Sequence, residues 1–180
     1  MLLWKEESDG MEKGLIHLYW GDGKGKTTAA MGLAMRALAA GRKVVIVQFL
    51  KGTESGEITL LSQLGAQIYR GKAGQKFVFQ MTEQEKQETR KIQEEHLRAA
   101  MEQSADTLIL DEACAALQLG MVDESLLQKA VYEKPQSQEL VMTGRNPAKW
   151  MMEASDYCTE MHCWSHPYEK GIAARKGVEY

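Results

Sequence analysis

Apolar residues fall into short blocks separated by two kinds of spacer. Residues 15–20, 44–49, 66–70, 107–112 and 139–145 are brief runs rich in valine, isoleucine and leucine, and they predict five strands. VVIVQF and TLILDE show no polar alternation, the pattern of strands buried on both faces. Helical segments lie between them. TTAAMGLAMRALAA, 27–40, is dense in helix formers and stops at Gly41, a natural C-cap. EITLLSQL, 57–64, predicts a short helix ended by Gly65. Thr82 and Glu85 form a capping box that opens a long polar helix to about residue 103. Asp123 caps a helix over 124–133 that Pro135 breaks, and Asn146 and Pro147 stand as N-cap and first residue of a helix through Ala154. CTEMHCW, 158–164, predicts a sixth strand, and the residues after it a tail with little regular structure. Residues 1–14 carry mixed charge with glycines at 10 and 14, the composition of a flexible N-terminal arm.

The first strand runs into a glycine-lysine loop and then a helix: LIHLYWGDGKGKTT. Gly21, Gly23 and Gly25 admit backbone angles closed to other residues and keep side chains out of the way, so successive amides can point at one anion. Lys26 adds a mobile positive charge, Thr27 offers a hydroxyl to Mg²⁺ (or Mn²⁺), and the following helix contributes the positive end of its dipole. Gly21, Asp22, Gly23, Lys24, Gly25, Lys26, Thr27 and Thr28 are therefore the expected ATP-binding segment. Only three residues separate Gly21 from Gly25, one fewer than in the usual P-loop. The plain alternative is a glycine turn joining strand to helix. Alternating strands and helices around such a loop predict an α/β fold, P-loop NTPase-like (RecA-like), with a mostly parallel sheet of about six strands flanked by helices. Residues 15–180 suit one domain.

Composition narrows the partners. A net charge of -3 gives no basic field for a nucleic acid backbone. No apolar stretch approaches the ~20 residues of a membrane span. Three cysteines form no even framework and the first residues resemble no signal peptide, which predicts a cytoplasmic protein with reduced thiols.

Further chemistry sits at strand ends. Asp111 and Glu112 close an apolar strand, expected beside the first one, and have the form of a Walker B element that holds Mg²⁺; the bland alternative is a helix N-cap. Arg145, after the fifth strand, suits phosphate or carboxylate through its forked donors, and suits an exposed turn equally well. Phe77 and Phe79, two apart, would point the same way in an extended chain, to line a flat apolar ligand or to pack on the core. Cys158, His162, Cys163 and His166 lack the separated ligand pairs of structural zinc sites. His96 reads as an ordinary surface histidine. No Ser-His-Asp arrangement stands out, so the chemistry must lie between ATP and a second substrate once both are positioned.

GLIHLYWGDGKGKTTAA, VVIVQFLKG, the Phe77/Phe79 pair, TLILDE, VMTGR and HPYEKGIAARKGVEY closely resemble the P-loop ATP:corrinoid adenosyltransferases of bacterial cobalamin metabolism, over about residues 14–180. The resemblance implies an alkyl transferase that moves the 5′-deoxyadenosyl group of ATP to the Co(I) centre of a reduced corrinoid (cobalamin) and releases triphosphate. It also implies an ATP bound in reverse relative to ordinary P-loop proteins, with the triphosphate clamped as a leaving group. By match to the family, Thr27 and Glu112 are Mg²⁺ partners, Lys26 and Arg145 stabilise the leaving group, and Arg36 is a nucleotide contact. Phe77 and Phe79 match an aromatic pair that excludes the corrinoid's lower ligand. Trp20 stands where the family has a threonine. Family members are commonly homodimers and receive their electron from a reductase. The rival expectations are a P-loop kinase or ATPase and a non-catalytic, nucleotide-dependent corrinoid carrier.

Overall fold

The computed structural model describes residues 13–52, 55–71 and 76–178. Strands β1 (Ile16–Trp20), β2 (Val44–Gln48), β3 (Gln67–Arg70), β4 (Thr107–Asp111), β5 (Glu139–Gly144) and β6 (Tyr157–Glu160) form one sheet in the order β3-β2-β4-β5-β1-β6. Every neighbouring pair is parallel, so the α/β expectation holds. The arm expected over residues 1–14 falls outside the described residues apart from Lys13 and Gly14.

The period-two geometry of a strand explains the uninterrupted apolar runs. Val45 and Val47 of β2, Leu108 and Leu110 of β4, and Leu140 and Met142 of β5 belong to one apolar cluster. Their alternates Val44, Ile46, Ile109 and Val141 belong to the cluster on the other face. Helices α1 (Lys26–Ala39) and α2 (Gly56–Gln63) cover that second face. The first is covered by α3 (Glu83–Met101), α4 (Ala113–Gln118), α5 (Glu124–Tyr132) and α6 (Lys149–Ala154). The polar α3 buries only the stripe Gln93, Leu97 and Ala100, at i, i+4 and i+7. Its capping box forms as expected, and the Asp123 carboxylate accepts from the amide of Leu126 to start α5.

Several elements depart from expectation. β4 does not lie beside β1, because β5 pairs with both and separates them. Helix α4 was not foreseen; Glu112, at a left-handed φ of 62°, turns β4 straight into it. Asn146 does not cap α6. It takes a left-handed φ of 47° while its carbonyl accepts from Gln118, and the N-cap is Ala148. β6 begins and ends earlier than CTEMHCW, and the tail holds one 3-10 turn, Pro167–Lys170.

The Phe77/Phe79 segment is not extended. Gln80 donates to the carbonyl of Phe77 and closes a 3-10 turn over Val78–Gln80, so Val78 faces the core and both rings face solvent. Because the sheet is parallel, the segments after β1, β2, β4, β5 and β6 all emerge on one rim.

Candidate active site

The glycines of the loop after β1 are held by what lies against them. Gly21 and Gly25 adopt φ of 112° and 121°, angles an L side chain resists. A Cβ at Gly21 would come within 2.4 Å of the Met161 carbonyl oxygen, and one at Gly23 within 2.8 Å of the His162 backbone. The chain leaving β6 therefore backs the loop. The Met161 amide donates to Trp20 and the Met161 carbonyl accepts from Gly23 at 2.7 Å. Asp22 and Lys24 serve the same contact: the Asp22 carboxylate accepts from the Cys163 amide at 3.1 Å, and Lys24 donates to the Val178 carbonyl at 2.8 Å. That amide holds the Asp22 carboxyl below the usual carboxylate range. The Trp20 ring packs on the apolar cluster beneath the sheet.

Lys26 curls over the loop and donates to the Gly23 carbonyl at 2.6 Å. Burial lowers its affinity for a proton, and the nearby charge of Arg145 lowers it further. Arg145, exposed just past β5, is thus electrostatically coupled to the loop. The preceding Gly144 has a φ of 148°, and a Cβ there would meet that of Cys114 at 2.6 Å. Cys114 itself is buried, and burial pushes its thiol up to about 12. Thr28 is exposed at the start of α1. Arg36 is exposed ten residues past Lys26, about 15 Å along the helix by rise per residue. It stands at the end of α1 remote from the loop.

Asp111 is the centre of the site, with 0% exposure. Its Oδ1 accepts from Thr27 at 2.9 Å and from Thr143 at 2.7 Å. Its Oδ2 accepts from Gln48 at 3.1 Å and from Lys51 at 2.7 Å. Lys51 also donates to the Thr27 hydroxyl at 3.1 Å and lies 3.7 Å from Glu112 Oε1. Thr143 ties the two acids together by accepting from the Glu112 amide at 2.9 Å. So Thr27, Asp111 and Glu112, named from widely separated motifs, do converge.

Sequence reasoning missed Lys51, Thr143 and Gln48. The available signal was position: each stands at or just past the C-terminal end of an apolar run next to that of Asp111. Phe77 and Phe79 stack on each other, centroids 5.6 Å apart and planes 9° off parallel. Cys158, His162, Cys163 and His166 do not gather: His162 lies 3.3 Å from Glu160, and His166 accepts from the amide of Tyr168. Among the described residues no group of His, Cys, Asp and Glu forms such a metal cluster, and no helix is long and apolar enough to cross a membrane.

A glycine loop between a buried strand and a helix, faced across a parallel rim by a buried aspartate, defines a P-loop α/β protein. A family model described as ATP:corrinoid adenosyltransferase BtuR/CobO/CobP matches residues 12–180, so the chain belongs to that family and is a transferase. It is similar to the corrinoid adenosyltransferase of Escherichia coli (strain K12), 32% identical over 170 residues that span 94% of this chain and 87% of that protein. The corrinoid adenosyltransferase of Pseudomonas aeruginosa is 33% identical over 174 residues, 94% of this chain and 85% of its own. Corrinoid adenosyltransferase CobA of Salmonella typhimurium is 29% identical over 170 residues, with coverage of 94% and 87%.

Proposed function

We propose that the chain transfers the 5′-deoxyadenosyl group of ATP to the cobalt of a reduced corrinoid. The Co(I) electron pair forms the Co–C5′ bond as the C5′–O bond breaks, and triphosphate leaves with the bonding pair. The observation that carries the reading is the meeting, on one rim, of a shortened phosphate loop with Asp111, Glu112, Lys51 and Arg145 in a chain of this family.

Charge grows on the triphosphate in the transition state, so the useful groups are those fixed before it forms. The loop amides other than that of Gly23, which donates to the Met161 carbonyl, hold the phosphates together with the N-terminus of α1; Lys26 turns from Gly23 towards them, and Arg145 adds charge from β5. Mg²⁺ (or Mn²⁺) fits the oxygens beside them. The Thr27 hydroxyl and the Asp111 and Glu112 carboxylates are hard donors, and they already converge on a cation, the Lys51 ammonium. When bound, the ion neutralises charge on the polyphosphate. Asp22, Lys24 and Thr28 complete the loop, whereas Arg36, about 15 Å along α1 from Lys26, stands away from a nucleotide held there. The stacked Phe77 and Phe79 supply a flat apolar surface for the corrinoid. The protein works in the cytoplasm as a homodimer, with a reductase delivering the electron.

Anaerobic incubation with ATP, Mg²⁺ and chemically reduced cobalamin tests this. Inorganic triphosphate together with a new Co–C absorbance is expected. ADP as the product would make the protein a kinase or ATPase, and binding without turnover would make it a carrier; either result overturns the reading.

A further inference from the structure

We propose that Lys51 is the internal counter-ion of the divalent-cation site. Its ammonium holds Thr27, Asp111 and Glu112 in their binding arrangement and leaves those oxygens when the metal takes them. This rests on the reading above, in which the same oxygens bind Mg²⁺.

The first argument is saturation. A carboxylate offers about four lone-pair positions. All four on Asp111 are filled, two by Thr27 and Thr143 at Oδ1 and two by Gln48 and Lys51 at Oδ2. A cation can therefore reach Oδ2 only by displacing a donor. Gln48 is buried and sits inside the sheet, whereas the Lys51 side chain is 32% exposed at the end of a flexible stem. Lys51 is the partner free to leave.

The second argument is that the fold builds the position of Lys51 at a cost. Leu50, the residue before it, adopts a left-handed φ of 59°, which is uncommon and strained for a leucine. Its amide donates at 2.9 Å to Oε1 of Gln93, which is itself buried in α3. On the other side the Lys51 carbonyl accepts from the Gly71 amide at 3.0 Å. The main chain is thus pinned on both flanks of a side chain that meets two carboxylates and a hydroxyl.

A third observation concerns Gln48. Its Oε1 is buried with no hydrogen-bond donor among the described residues. A buried acceptor left unmatched costs free energy, and it lies on the side chain whose Nε2 already engages Asp111. A hydrated cation brings donors to such an oxygen, and the Lys51 ammonium does not engage it.

An ordinary stabilising ion pair and a counter-ion predict opposite results when the positive charge is removed. Binding of Mn²⁺ to nucleotide-free protein, followed by electron paramagnetic resonance, reads the difference. Lys51→Met leaves the Asp111 and Glu112 carboxylates without the ammonium they share, so its Mn²⁺ affinity should rise at least ~10-fold over the unaltered protein. Mn²⁺ should also restore the melting temperature that the substitution lowers. Lys51→Arg keeps the charge and should bind Mn²⁺ as weakly as the unaltered protein. Equal or weaker Mn²⁺ binding by Lys51→Met overturns the proposal.

Should Lys51→Met not fold, the unaltered protein carries the same test. Mn²⁺ must speed the acetylation of Lys51 by acetic anhydride, read by mass spectrometry, and an unchanged rate overturns the proposal. Binding of Mn²⁺ with ATP, measured in parallel, separates the two layers. Its absence overturns the metal site itself; its presence alongside an unimproved Lys51→Met overturns the counter-ion role alone.

Discussion

On the β1, β4 and β5 side of the rim, the oxygens of Asp111 are met by four donors and no part of the side chain reaches water. On the β3 side, Phe77 and Phe79 are 72% and 82% exposed, and each ring has the other for a neighbour. The same sheet supports both ends. The difference follows from what each end handles. Charge developing on a polyphosphate is stabilised by dipoles and ions already in place, since reorganising them during the reaction would cost the energy they supply. A large flat ligand gains from apolar surface that stays wet until docking and is dehydrated only then. The phosphate end is therefore rigid and the aromatic end open.

The largest effect expected from breaking this contrast comes at the rigid end. Lys26→Ala should reduce triphosphate release by about 10²–10³-fold, the usual scale for removing one donor that meets developing charge. Stability should hold, because among the described residues the side chain donates to the Gly23 carbonyl alone. Phosphorus-31 detection of the product and circular dichroism check the two halves. Unchanged turnover would dismiss the loop as the phosphate site.

Thr143→Val comes next. The hydroxyl donates to Asp111 and accepts from the Glu112 amide, so its loss strips two hydrogen bonds from buried groups and should lower stability by about 1–3 kcal/mol. Urea denaturation measures it. A change under ~0.5 kcal/mol would mean that the acidic end is less tightly built than its geometry indicates.

The aromatic end should answer in the opposite way. Phe79→Ala should leave stability within ~0.5 kcal/mol, as for other exposed positions. It should lower kcat/KM for the complete cofactor about tenfold, or ~1.4 kcal/mol. The loss with a corrinoid lacking the lower nucleotide loop should be smaller. Equal losses would remove Phe79 from lower-ligand exclusion.

How far these ends could be read from sequence follows the same division. The phosphate loop was legible because its signal is local: a buried strand, glycines at fixed spacing and a helix start stand within 14 residues. The capping box at Thr82 and Glu85 was legible for the same reason. Lys51 was not, since its partners are 24, 60 and 61 positions away and the motif around it reads as loop. The order of β4, β5 and β1 depends on which strands pair, and apolar content cannot report that. The turn at Phe77 and Phe79 was not legible, because a spacing of two fits an extended chain and a 3-10 turn alike, and Val78 between them packs on the core. Asn146-Pro147 has the composition of a helix start, yet the Gln118 side chain holds the Asn146 carbonyl and delays α6.

The smallest effect tests what supports the aromatic end. The turn carrying Phe77 and Phe79 leads directly into α3, and His96 of α3 rests on Tyr69 of β3 with ring centroids 5.6 Å apart. Burial lowers the pKa of His96 from the ordinary 6.5, and the charge of Glu95 opposes that shift without cancelling it. The sign follows from linkage. As pH falls, the unfolded chain takes up the proton before the folded one, so the contact contributes in full above pH 6.5 and is lost as pH falls towards the lowered folded value. His96→Gln has no such proton to bind and should show a flatter dependence of stability on pH below 6.5. Urea denaturation across that range measures the slope for both proteins. Identical slopes would show that acid acts elsewhere and that the seat of α3 on β3 does not depend on a neutral histidine.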